Sequence, residues 1–86
     1  MFEFDPAKSA ANKAKHGIDF EEAKALWDDQ QRIEAGVRVH GQEERRIIVG
    51  RIGGLHWTAI VTERGDKIRI ISVRRSRESE RQHYDG

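Results

Sequence analysis

The apolar positions of this 86-residue chain follow two periods, and the change between them falls near residue 30. Before it, apolar residues recur at helical spacing. Phe2-Glu3-Phe4 alternates and reads as a short edge strand, after which Asp5-Pro6 opens a helix. Asp5 suits the N-cap, and Pro6 at the first helical position gives up only an amide that has no intrahelical partner. Ala7, Ala10, Ala11 and Ala14 form an i, i+3, i+4, i+7 stripe, which predicts close packing of this helix on its neighbour. Gly17 stops it as a left-handed residue. A second helix follows at once, with Asp19 as N-cap, Glu22 as capping-box partner and Ile18 placed to staple onto Ala23. Phe20, Ala23, Leu26 and Trp27 give it an apolar face, and Asp28-Asp29 ends it.

Beyond that point the period becomes 2. A weak strand is expected around Gln31–Glu34, then a glycine-broken loop holding Gly36, His40 and Gly41. Three stronger strands follow at Arg45–Ile52, Leu55–Glu63 and Lys67–Arg74. Gly53-Gly54 and Arg64-Gly65-Asp66 join them as short hairpin connections. In the middle strand Leu55, Trp57, Ala59 and Val61 share one face, opposite His56, Thr58, Ile60 and Thr62. Ser76 can cap a last polar helix, Arg77–Tyr84. The fold class is therefore α+β: one domain over residues 1–86, order β-α-α-β-β-β-β-α, with helices packed on one antiparallel sheet in two layers.

Composition narrows the function. At 36% apolar the chain supports one modest core and no deep cofactor cavity. The absence of cysteine removes disulfides, thiolate catalysis and zinc-thiolate sites together. No apolar run approaches membrane-spanning length and the N-terminus does not resemble a signal peptide, so a cytoplasmic location without membrane contact is expected. The net charge of +1 hides an asymmetry. Residues 1–43 carry six Lys/Arg against nine Asp/Glu, whereas residues 44–86 carry ten against six. Seven of the basic residues lie between Arg64 and Arg81. Such an arginine concentration is either a polyanion site, since the planar guanidinium fork grips phosphate and carboxylate, or a solvated face laced with ion pairs.

The candidate chemistry lies in that segment. His16, His40, His56 and His83 show no metal-ligand spacing, and neither a phosphate-cradling glycine loop nor a nucleophile elbow is present, so neither metal nor cofactor is expected. What remains is Arg64, Arg69, Arg74, Arg75, Glu80, Arg81 and Tyr84, with His16 at the end of the first helix. Metal-free RNA cleavage needs a base for the 2′-OH proton, cations for the phosphorane charge and an acid for the leaving 5′ oxygen. Glu80 or His16 can serve as base or acid, Arg64 and Arg81 as phosphate clamps, and Tyr84 or Trp57 as a stacking surface. Each has a plainer alternative. His16 complements a helix dipole, Glu80 can form a surface ion pair between Arg77 and Arg81, Arg69 can point to solvent, and Trp57 alternates with core residues.

Taken in order, several segments resemble the BrnT toxin family, the toxin half of type II toxin–antitoxin modules, whose fold is RelE-like. They are Phe2-Glu3-Phe4-Asp5-Pro6-Ala7-Lys8, then Asn12 through Lys15-His16-Gly17-Ile18, followed by Phe20, Glu22 and Ala23. Further along come Arg46 to Arg51, Thr62-Glu63-Arg64-Gly65, Ile68 to Arg74, and Glu80-Arg81 with Tyr84. The resemblance implies a metal-independent mRNA endoribonuclease that arrests growth. Its functional arginine falls on Arg64 and its Glu-Arg pair on Glu80-Arg81, with His16 near the same surface. From the residues themselves, Arg69, Arg74, Arg75 and Tyr84 of the basic segment are expected as RNA contacts. The implied partner is a BrnA-like ribbon-helix-helix antitoxin in a 2:2 complex, through which alone operator DNA is bound. The alternative is a non-catalytic RNA- or protein-binding module on the same fold. The segment from Glu34 to Gln42 matches nothing in the family pattern, and a longer C-terminal tail seen in some relatives is missing after Tyr84.

Overall fold

A computed structural model describes all 86 residues. Asp5 accepts a hydrogen bond from the Ala7 amide at 2.9 Å and starts helix α1, Pro6–His16. Gly17, at φ 83°, closes it by donating to the Lys13 carbonyl. The capping box of helix α2, Phe20–Ala23, is complete in both directions: Glu22 N–H to Asp19 at 2.7 Å, and Asp19 N–H to Glu22 at 2.9 Å. The expected second helix is shorter than its apolar face, because Lys24–Asp28 tightens into a 3-10 turn. Leu26 is nevertheless fully buried.

Five strands form one sheet in the order β1-β5-β4-β3-β2. They are β1 Phe2–Glu3, β2 Ile33–His40, β3 Glu43–Ile52, β4 Leu55–Arg64 and β5 Lys67–Arg75. Helix α3, Glu78–Asp85, ends the fold. The α+β class and the element order agree with expectation, with three corrections. The sheet is mixed, because β1 runs parallel to β5. The expected weak strand and loop over residues 31–42 are one eight-residue strand, β2, with a bulge between Glu34 and Gly36 and a turn at Gly41-Gln42. The third correction concerns layers. Trp57, Ala59 and Val61 join Ile18, Phe20, Ala23, Leu26, Ile70 and Val73 in the core beneath α1 and α2. Thr58 and Val49, also fully buried, face the opposite side, and α3 packs there against β2 and β3.

Helix α1 holds a further surprise. Its alanine stripe is exposed, and its buried residues are Ser9 and Asn12. Only Met1–Glu3 pairs with β5, so the upper part of that strand has a free edge. Asn12 covers it as a strand would, donating to the Val73 carbonyl at 2.8 Å and accepting from the Val73 amide at 3.2 Å. Its second amide proton goes to the Ile18 carbonyl at 2.8 Å. Ser9 accepts from the Phe20 amide at 2.9 Å. The helix is therefore seated by backbone groups that would otherwise be buried unpaired.

Asn12→Ala should cost about 3 kcal/mol in urea denaturation, because it strands three buried backbone groups. Ala14→Ser, on the exposed stripe, should shift stability by less than about 0.5 kcal/mol.

Candidate active site

The cross-strand pair Thr58 and Arg74 presents a hydroxyl and a guanidinium side by side on the α3 face of the sheet. Glu80, from the first turn of α3, lands on both. Its Oε1 accepts from Thr58 at 2.9 Å and from Arg74 Nη1 at 2.8 Å, and its Oε2 accepts from Arg74 Nη2 at 2.8 Å. The Arg77 amide also donates to Oε1 at 2.8 Å, so the carboxylate caps its own helix. Ser76, expected to be the N-cap, is instead buried and lies 2.8 Å from the Thr58 hydroxyl. Thr58 commits its single proton to the carboxylate, so Ser76 is the donor in that bond. Arg81 turns away from Glu80 and donates to the Ser76 carbonyl at 3.1 Å.

This network sets the charge of Glu80. The two-pronged contact with Arg74 holds its pKa down at about 2. Partial burial opposes that effect, while the Arg77 amide and the Thr58 hydroxyl reinforce it. A carboxylate so occupied is a poor proton shuttle near neutral pH. It positions Arg74 and the start of α3.

Helix α3 covers only part of its side of the sheet. Beside it lies a groove of about 320 Å³ whose floor is Ile47, Ile60, Ile71 and Ser72. Arg38, His40 and Arg45 of β2 and β3 form one wall. The groove continues under α3, where Arg38 and Ile47 meet Arg77, Glu80 and His83. On the other flank, Ile71 and Ser72 also border Lys8, Lys15 and His16 of α1. Basic groups thus rim an apolar and hydroxyl floor from one side of the sheet to the other.

The sequence matches the family model of BrnT, the ribonuclease toxin of type II toxin–antitoxin systems, over residues 4–80. The chain belongs to the BrnT family. No curated protein matches it. Membership makes an antitoxin the partner class of this BrnT chain and RNA its target class.

The residues singled out in the BrnT sequence do not all meet. Arg74, Glu80 and Arg81 converge around Ser76, and His16 borders the groove on the opposite flank. Arg64 closes the β4–β5 hairpin, exposed and beside Glu43, Glu44 and Glu63. At roughly 3.3 Å per residue it lies about 20 Å along β4 from Thr58. Arg69 is held by Glu3 at 2.9 Å and ties β1 to β5. Arg75 points to the other face, its guanidinium 5.5 Å from the centre of the Trp57 ring. Tyr84 donates to Asp29 at 2.6 Å and packs edge-on against His56, away from the groove. This contact opposes loss of the phenolic proton and raises the Tyr84 pKa. Trp57 is core, not a stacking surface.

Thr58, Arg38 and Arg45 are not among the expected site residues, and His40 and His83 enter the sequence reading only as metal-ligand candidates. The alternation Val37-Arg38-Val39-His40 was the available signal for the β2 wall, and the flanking glycines obscured it.

Because the Glu80 pKa lies below its ordinary value of 4.5, the stability it adds is fully present above that value and is lost as pH falls toward 2. The melting temperature should therefore drop across this acid range. Glu80→Gln should start lower at pH 7 and show a shallower drop, as read by circular dichroism.

Proposed function

We propose that this BrnT chain is a metal-independent endoribonuclease that cuts mRNA in the cytoplasm, with the cross-sheet groove as its RNA site. The observation that carries the reading is the groove itself, an apolar and hydroxyl floor rimmed by cations. Phosphates suit the arginine and lysine rim, and unstacked bases suit the Ile47, Ile60 and Ile71 floor. The 2′-OH attacks its own phosphate, forming a 2′,3′-cyclic end and releasing the 5′ oxygen. His16 takes the 2′-OH proton as the attack occurs, and water delivers a proton to the departing 5′ oxygen on the far side of the phosphorus. Arg81, beside the Arg74 that Glu80 fixes, is the cation assigned to the phosphorane charge, and Arg38 on β2 receives a neighbouring phosphate of the RNA. Strand alternation puts Arg64 on the same face as Ile60, so RNA leaving the floor along β4 meets it next.

In this reading the antitoxin is a ribbon-helix-helix protein. Such domains dimerise, so the complex is 2:2 and touches operator DNA only through the antitoxin. A non-catalytic RNA-binding module is the second reading. It draws on the occupied Glu80 carboxylate, which leaves the site with histidines alone for proton transfer.

Purified protein should cleave RNA in EDTA, leave cyclic or 3′-phosphate ends, and spare DNA of the same sequence. Loss of cleavage on chelation, restored by magnesium, overturns the metal-free reading. His16→Ala and Arg81→Ala should each lower the cleavage rate at least about 100-fold while keeping RNA affinity within about tenfold. Equal loss of both would favour a binding module. Arg64→Ala should weaken RNA binding with little change in the single-turnover rate.

A further inference from the structure

Strand β2 is the outer edge of the sheet, and nothing pairs with its far side. Native edges are usually blunted by proline, lysine, a bulge or short length. The bulge of β2 sits low, between Glu34 and Gly36. Above it, Val37 to His40 continues in regular register with no proline or further bulge, and Arg38 is its single formal charge. Val37 and Val39 are 48% and 70% exposed, and strand alternation turns them toward the α1 and α2 face, opposite Arg38. On the groove side, Arg38 lies directly opposite Arg45, a like-charge pair that is unfavourable without counter-charge. Glu43 holds Arg45 at 3.0 Å, whereas Arg38 is exposed and makes no ion pair.

We propose that the edge of β2 at Val37–His40 docks an extended segment of the antitoxin whose side chains alternate acidic and apolar. Main-chain hydrogen bonds extend the sheet by one strand. Apolar side chains lie on Val37 and Val39, and carboxylates on the opposite face meet Arg38. A second copy of this chain fits less well, because its own β2 would bring another Arg38 to a face already holding two arginines. The docked carboxylates would enter the basic wall of the groove, so sheet extension and silencing of the RNA site are one event. This inference rests on the antitoxin partnership, and on the proposed RNA site for the silencing step.

The probe is a capped octapeptide alternating Glu and Val, compared with one alternating Lys and Val, followed by amide chemical shifts of the intact protein. The Glu–Val peptide should shift the amides of residues 37–40 and inhibit RNA cleavage. Arg38→Glu should lower its affinity at least about tenfold and admit the Lys–Val peptide instead. Val37→Asp should weaken the Glu–Val peptide to a similar degree while retaining RNA cleavage and a cooperative melt. Shifts confined elsewhere, equal binding of the two peptides, or a free protein that sediments as a dimer with residues 37–40 protected would each overturn the proposal. RNA cleavage without peptide binding removes the docking site and leaves the ribonuclease reading standing. Peptide binding without cleavage does the reverse.

Discussion

One carboxylate organises the far side of this protein. Glu80 gathers a strand hydroxyl, a strand guanidinium and the first amide of its own helix, and so anchors the start of helix α3. No residue of α3 is fully buried. Without an apolar face the helix is attached by directional bonds, which fix its position more sharply than hydrophobic contact would. At the other end Tyr84 reaches Asp29 and His56 reaches Asp85, so the helix is pinned at both termini. The groove exists because α3 is held to one part of its face and leaves the rest open.

The opposite side of the sheet is built on the same principle with different atoms. Phe4, Phe20 and the β4 residues Trp57, Ala59 and Val61 supply the apolar mass, yet α1 is aligned by Asn12 and Ser9. In a chain this small the core alone gives modest stability, and polar side chains that complete backbone hydrogen bonding add specificity of placement. Gly50 shows how close the fit is. A Cβ there would come within 2.8 Å of Leu26, itself fully buried.

What could be read from sequence was local. Both helix starts, the glycine stop and the two hairpins depend on residues a few positions apart, and each was legible. Helix α1 was misread because periodic alanines signal an apolar face, whereas its buried side is polar and is recognised only through Val73, sixty-one positions away. Glu80 was expected beside Arg77 or Arg81, its neighbours on the helix. The chain turns back between β5 and α3, which places Arg74 across from it instead. The basic rim was half legible: its arginines on β5 and α3 stood out, while those on β2 and β3 belong to a strand whose glycines read as a loop.

The parallel pairing of β1 with β5 joins residues 66 positions apart, as Glu3 and Arg69 show. Contacts of that span form late, since the intervening chain must be ordered before they can close. A ribosome still short of β5 therefore carries a chain whose first strand has no partner and whose α1 has no Val73 to grip. The groove floor, which includes Ile71 and Ser72, is equally absent. With the groove as the RNA site, topology leaves that site incomplete until β5 has been made, and the delay is a window in which an antitoxin can meet the folding chain.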